Sequence, residues 1–308
     1  MGLDENIWIS RYQLKSEETI NARSERRVFE GALIRKGPGF SSLHPWPELG
    51  DPDLEECLED LKHGGEHPLV RKALIWLKAD AAAREAGRSL FEGQVPARSH
   101  ATLPVLSRER VAEAARKGFT HVKSKTGRQL PDELETIRAL GKEFPDLKWR
   151  IDFNGCGTYE ALNAIFSKWS REELKRVDFL EDPIPENFEE WVILSEETGM
   201  MMAEDRFHDP VGSSARVSIL KPAVDLIEDG PGRRVVTSYM DHPVGQCFAA
   251  WESLIVSQDE VFGLQTHDLF EKNVFSELLG ESGPEFMIPE GIGIGFDDCL
   301  EAQEWCVL

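Results

Sequence analysis

His121-Val122-Lys123-Ser124-Lys125, Arg150-Ile151-Asp152-Phe153-Asn154 and Phe179-Leu180-Glu181-Asp182 follow one pattern: a short apolar, β-prone run ends in a charged group. Met202-Ala203-Glu204-Asp205, Ile219-Leu220-Lys221 and Val236-Thr237-Ser238 likewise end in polar or charged side chains. The steps from Lys125 through Asp152, Glu181 and Asp205 to Lys221 are 27, 29, 24 and 16 residues. A strand, its crossover helix and the loops take roughly 30 residues, so most steps are one βα unit. Parallel strands closed into a barrel share one C-terminal rim, and barrel enzymes keep their chemistry there. Three carboxylates and three lysines on one rim suit a metal site ringed by ammonium groups.

Outward from that ladder, the flanking segments read differently. Residues 1–98 predict an α+β capping domain: strands at Trp8–Leu14, Arg27–Arg35 and Phe40–His44, then helices near Asp53–His63 and His67–Glu85. The second helix carries Val70, Leu74, Leu77 and Ala81 at helical spacing. Residues 99–284 alternate strand and helix, with Ser107 and Thr158 as caps, Pro131 in a first turn, and Gly118 and Gly199 as stops. The fold class expected is α/β: a modified (β/α)8 TIM-type barrel, (β/α)7β-like, with the capping domain in front. Only about a dozen and about ten residues separate the strands around Lys221, so helices 5 and 6 should be stubs. A last strand, Phe262–Thr266, leads to His267. The segment from about 285 to 308 should return to the capping domain, its stretch Met287–Phe296 extended; the glycines there lack phosphate-loop spacing.

Composition narrows the function classes. With 35 basic and 56 acidic residues the formal charge is −21, which argues against nucleic acid or anionic membrane as partners. No apolar run approaches the ~20 residues that span a bilayer, and Met1–Asn6 shows no signal-peptide character. Five scattered cysteines without a Cys-x-x-Cys pair read as reduced thiols in a cytoplasmic protein. The partner expected is a small-molecule carboxylate, acted on by a monomer or small homo-oligomer.

Lys123 and Lys125, two apart on a strand, share a face. Inside a barrel each lowers the other's pKa, which makes a usable base; on an edge strand they would merely be solvated. Asp152, Glu181 and Asp205 offer hard oxygens from successive strands, as Mg²⁺ requires, with Mn²⁺ as an alternative. Asp182, before Pro183, reads as a helix cap. Glu204 and Asp205 point to opposite faces. Asp205 is chosen because it shares parity with Ala203 and Met201, and Glu204 is the alternative ligand. Lys221 ends the sixth strand and faces the lysine pair across an eight-stranded cylinder. Bases on one wall, a cation on the other and a metal between suit proton removal alpha to a carboxylate.

In this order, Lys-x-Lys, Asp-x-Asn, Glu-Asp-Pro, a late-strand Asp and Ile-Leu-Lys-Pro resemble the enolase superfamily, muconate-lactonising subgroup. Arg150, the run Thr237–Gln246 and Gly263-Leu264-Gln265-Thr266-His267 resemble its o-succinylbenzoate synthase family. The resemblance implies a Mg²⁺-dependent syn elimination of water from a hydroxylated cyclohexadiene dicarboxylate, in menaquinone biosynthesis, through a metal-stabilised enolate. It implies Lys125 as base, Lys123 as its partner and Lys221 as a cation over the dienolate. Mg²⁺ would sit on Asp152, Glu181 and Asp205, with Asn154 supporting that shell; Arg150, Thr237, Ser238 and Gly263 would bind substrate. Arg206 and Phe207 depart from the family's Glu-Ser, and Arg23, Trp46 and Glu48 fall in capping loops that would close over the mouth. The same lysine walls suit an N-succinylamino acid racemase or dipeptide epimerase, and a non-catalytic binding or scaffold barrel is the reading from outside enzymology.

Overall fold

The computed structural model of the protein describes residues 6–17, 20, 26–185, 188–205, 217–227 and 232–308. Strands β1 (Trp8–Lys15), β2 (Val28–Lys36) and β3 (Gly39–Leu43) form an antiparallel sheet. Helices α1 (Leu54–Lys62) and α2 (Pro68–Glu85) follow. Asp53 starts α1 with a reciprocal capping box to Glu56, which satisfies two otherwise orphaned backbone donors. The buried face of α2 is Leu69, Val70, Ala73, Trp76 and Leu77, and it also takes in Lys72 and Asp80. Apolar spacing alone does not reveal those two charges.

The second part is a parallel barrel. Its strands are β4 (Arg98–Ser99), β5 (Ala101–Leu103), β6 (His121–Lys125), β7 (Lys148–Asp152), β8 (Val177–Glu181), β9 (Met201–Asp205), β10 (Val217–Leu220), β11 (Arg233–Val236) and β12 (Val261–Phe262). From β5 to β11 they pair in sequence order as one parallel sheet. The ends meet through β12. It pairs in parallel with β4, and Ser238 N–H donates to Gly263 O at 2.8 Å on the other side. β4 and β5 are thus one staggered wall strand broken at His100. Helices α3 (Arg108–Arg116), α4 (Leu130–Glu143), α5 (Tyr159–Phe166), α6 (Arg171–Leu174), α7 (Phe188–Thr198), α8 (Pro243–Val256) and α9 (Val274–Leu279) fill the crossovers and the C-terminal side. Ser107 and Thr158 cap α3 and α5 through their hydroxyls.

Strand parity divides the core as a filled barrel requires. Phe179, Ala203, Val217 and Ile219 pack with the interior and capping-domain cluster, while Val122, Ile151, Leu180 and Met202 pack outward under the helices. The crossover between β9 and β10, where a stub helix is expected, lies outside the described residues. After β10, residues 221–227 make one turn, with Val224 and Asp225 N–H on Lys221 O. The last strand is shorter than its sequence suggests. Gln246 captures the Thr266 N–H, and Gln265 turns to Gly283, so the chain leaves the barrel after Gly263.

The C-terminal segment, with α10 (Asp297–Glu301) and β13 (Cys306–Val307), lies on the first sheet: β13 pairs antiparallel with β1. Buried Asp80 accepts from Phe40 N–H at 2.8 Å and Ile294 N–H at 2.6 Å, pinning β3 and this segment to α2. Residues 287–296 are irregular rather than extended, because Gly291, Gly293 and Gly295 all adopt positive φ. Among the described residues no helix is long and apolar enough to cross a membrane.

Candidate active site

A cavity of about 720 Å³ opens at the C-terminal ends of the barrel strands. Lys123, Lys125, Asp152, Asn154, Asp205, Lys221, Thr237, Ser238 and Gly263 line it. Glu181 lies just beneath, fully buried, with its carboxylate 2.6 Å from Lys123 Nζ. Strand register delivers these groups: Lys125, Asp152 and Glu181 lie directly opposite one another on β6, β7 and β8.

The two lysines of β6 are not equivalent. Lys123 Nζ bridges Glu181 and Asp152, at 2.6 and 3.1 Å. Against the cost of burial, Asp152, Glu181 and Asp205 hold its ammonium above the ordinary lysine range. Lys125 makes no ion pair among the described residues. Burial first, then the charges of Lys123 and Lys221, push its pKa down against the pull of Asp152. Lys221 faces it from β10, four strands around the barrel, and donates to Asp205 Oδ1 at 2.5 Å. Asp205 is the member of the Glu204–Asp205 pair that joins the Asp152–Glu181 group, since Ala203 beside Glu181 is inward-facing. Glu204 also lines the cavity.

The donor set suits a hard divalent cation: three carboxylates close enough that burial, with Asp152 and Asp205, raises the Glu181 pKa. Among the described residues no three His, Cys, Asp or Glu side chains are disposed to hold an ion as they stand. The reason is visible: Lys123 lies between two of the carboxylates and Lys221 holds the third. The lysines supply the positive charge the cluster needs, and Asp152, Glu181 and Asp205 are the residues that would hold a cation.

Three rim residues hold a left-handed backbone: Asn154 after β7 (φ 49°), Asp182 after β8 (φ 43°) and Met240 beyond β11 (φ 51°). Non-glycine residues adopt this region at a cost, and such strain gathers at functional sites. Asn154 N–H donates to Asp152 Oδ1 at 3.1 Å, which fixes that carboxylate. Asp182 is not a helix cap. It lines the cavity, accepts from Asp205 N–H at 3.1 Å, and is pushed up to about 8 by burial and by Asp205 and Glu181.

Other expectations need correction. Arg150 does not reach the cavity. It sits two residues, roughly 6.6 Å, below Asp152, fully buried, donating to Asp178 at 2.8 Å and Glu260 at 3.0 Å. A bulge opposite Trp149/Arg150 turns Asp178 inward, and Arg233 completes a network of two guanidiniums and two carboxylates over Phe179. Trp46 is packed in the capping domain against Phe29 rather than over the mouth, and Glu48 pairs with Arg26. Among the described residues Leu49 is the capping residue that meets the cavity, and Tyr239 ties its loop to the barrel through Asp51 at 2.9 Å. Arg23, Arg206 and Phe207 lie outside the described residues. His100, Thr102 and Thr266 line the cavity unanticipated. The alternation of His100 with Thr102 was the only signal for those two, and the break at His100 obscured the strand.

Beside the rim, the start of α8 and β3 enclose a buried polar group. Tyr12 stacks with His44 and meets His242 at a tilt, and Asp241 is fully buried with Oδ1 lacking a hydrogen-bond partner. Burial pushes Asp241 up to about 7 and His44 and His242 down to about 3. The raised carboxyl keeps its proton in the folded state after the unfolded chain has lost it, so stability falls as pH climbs from about 4 to about 7. The histidines act oppositely, losing stability as pH falls below about 6.5, and they cancel in a comparison of variants. Asp241→Asn is therefore expected to gain a few kcal/mol over wild type, by ~1.4 kcal/mol per pKa unit, at pH 8 relative to pH 4. Urea unfolding at the two pH values checks this, and an equal difference at both would remove the assigned burial effect.

Two sequence profiles match the chain. That of the o-succinylbenzoate synthase N-terminal domain covers residues 7–83, and that of the enolase C-terminal domain-like family covers residues 107–212. The chain belongs to the enolase superfamily. Its lysine and carboxylate set sits at the rim where barrel enzymes work, and it is an enzyme of the lyase kind. An o-succinylbenzoate synthase of Bdellovibrio bacteriovorus is 28% identical, over 97% of both chains. A mandelate racemase/muconate lactonizing protein from Herpetosiphon aurantiacus superposes with TM-score 0.78 at 16% identity, covering 95% of this chain and 98% of that one. An N-succinyl Arg/Lys racemase from Bacillus cereus gives 0.76 at 13% identity over the whole of both chains, and a dipeptide epimerase from Enterococcus faecalis gives 0.76 at 14%, covering 96% of this chain and 99% of that one. At such identities the superpositions show the shared fold alone.

Proposed function

We propose that the enzyme is a Mg²⁺-dependent o-succinylbenzoate synthase, eliminating water from a hydroxylated cyclohexadiene dicarboxylate in menaquinone biosynthesis, in the cytoplasm. The observation that carries this reading is the asymmetry of the lysines. Lys125 alone faces the cavity without an ion pair among the described residues, opposite Lys221, with the carboxylate group between them. The full-length likeness to a named o-succinylbenzoate synthase supports it.

In this mechanism Lys125 Nζ takes the proton alpha to the substrate carboxylate. Asp152, Glu181 and Asp205 would hold Mg²⁺, which when bound supplies Lewis-acid stabilisation of the developing oxyanion. Lys221 faces the other side of the carbanion and offsets its charge. In a syn elimination the hydroxyl leaves from the face that lost the proton. The Lys125 ammonium can return its proton there: the C–O bond breaks, water departs and the ring becomes aromatic. Lys123 keeps the two neighbouring carboxylates in place. The partner is thus a small dicarboxylate, and the chain works as a monomer or small homo-oligomer.

One feature favours a second activity at the same site, N-succinylamino acid racemisation: Lys125 and Lys221 approach from opposite walls, as exchange of an alpha proton requires. Incubation with N-succinyl amino acids and Mg²⁺ in D₂O distinguishes the activities. A dedicated synthase should leave the substrate's configuration intact, whereas rapid deuterium uptake into both enantiomers, without turnover of the cyclohexadiene, would replace the proposal with the racemase.

A further inference from the structure

The half of the cavity facing away from the carboxylates is built differently. Its wall is β4/β5, β11 and β12, and it presents His100, Thr102, Thr237, Ser238, Gly263 and Thr266. These side chains carry no formal charge, and two have polar atoms unused by the protein. Thr237 Oγ1 is buried without a partner. His100, only 3% exposed, has a hydrogen bond on one ring nitrogen alone among the described residues: Nδ1 lies 3.0 Å from Arg150 Nη1.

That contact fixes the imidazole's state. Arginine can only donate, so Nδ1 must be the acceptor, and the ring proton of a neutral imidazole then sits on Nε2. Burial, then the charges of Arg150 and Lys123, keep the ring neutral. The ring lies against Gly263, where an added Cβ would come within 2.6 Å of its Cε1 and 2.8 Å of its Nε2. Glycine at 263 therefore leaves room for the imidazole on the cavity floor. Arg150 is anchored by Asp178 and Glu260, so it holds the ring orientation without entering the cavity.

We infer that His100, through Nε2–H and beside the Thr237 hydroxyl, binds the second carboxylate of the substrate, the one at the end of its aliphatic acyl arm, with Arg150 as the positioning residue behind it. The inference rests on the proposed reading that a dicarboxylate reacts here. A substrate whose first carboxylate lies at the Asp152–Glu181–Asp205 end extends toward this opposite wall. There a neutral donor backed by a guanidinium favours an anion while placing no competing charge near Lys125. A carboxylate bound by such donors gains charge-assisted hydrogen bonds, stronger than neutral ones.

The test compares ligands with and without the arm. Calorimetric binding of o-succinylbenzoate and of benzoate, each with Mg²⁺, is measured on wild type, His100→Leu and His100→Gln, the glutamine amide replacing the Nε2 donor. Loss of one hydrogen bond to a charged group should weaken o-succinylbenzoate by about tenfold or more in His100→Leu, leave benzoate unchanged, and be largely restored in His100→Gln. Equal weakening of both ligands, or of neither, would overturn the inference. If wild type fails to bind o-succinylbenzoate, the proposed reaction fails. N-succinylphenylalanine against N-acetylphenylalanine then poses the same question of His100. ¹⁵N-histidine NMR of the wild type needs no folded variant: an Nε2–H tautomer whose Nε2 signal moves with o-succinylbenzoate but not benzoate supports the role, and an Nδ1–H tautomer refutes it.

Discussion

Lys125→Ala is expected to lower kcat by about 10²–10⁴, the usual contribution of a positioned general base, while thermal unfolding stays near that of wild type. The stability expectation follows from Lys125 having no ion pair among the described residues. Removing it even relieves repulsion with Lys123 and Lys221. Lys123→Ala should also lose activity but through a different signature. Its ammonium bridges Glu181 and Asp152, so its loss leaves two buried carboxylates unneutralised, and the unfolding temperature should fall as well. Steady-state kinetics and calorimetric scans of both variants check the division. Full activity in Lys125→Ala would exclude it as the base.

Glu252→Ala is expected to cost about 3–5 kcal/mol of stability, the range for breaking a buried ion pair by removing one partner. Glu252 on α8 accepts from Lys72 Nζ of α2 at 2.7 and 2.9 Å and from Trp76 Nε1 at 2.7 Å, all buried. The pair joins the helix under the N-terminal sheet to a barrel helix, beside the stacked rings of Trp76 and Phe248. Truncation strands the Lys72 ammonium and the indole N–H. The double variant Lys72→Met/Glu252→Met should recover most of the loss, because a buried pair replaced by apolar side chains is often neutral. Urea unfolding of the three proteins measures both effects. A loss below about 1 kcal/mol in Glu252→Ala, the value of an exposed pair, would show that the interface admits water.

The strand ends were legible because barrel geometry ties function to position. Each charged group closes a β-prone run, and two-residue parity settles which side chains turn inward. That logic brought Lys123, Lys125, Asp152, Glu181, Asp205 and Lys221 together from spacing alone. Helix starts were legible for a local reason, since Asp53, Ser107 and Thr158 satisfy backbone donors within their own first turn. Arg150 misled because its parity is right while its depth is wrong: one rung below Asp152 is the barrel interior, and the bulge that turns Asp178 toward it has no sequence signature. His100 was hidden by the break in its strand. The burial of Lys72 and Asp80 has no local sequence signal, since their partners are Glu252, Phe40 and Ile294, distant in sequence.

The reaction itself can be followed directly. Wild-type enzyme with Mg²⁺ and the hydroxylated cyclohexadiene dicarboxylate should release water and build up the absorbance of aromatic o-succinylbenzoate, with activity lost on chelation and in Lys125→Ala. Unchanged cyclohexadiene spectra with folded, Mg²⁺-loaded protein would contradict the assignment of this cavity to that elimination.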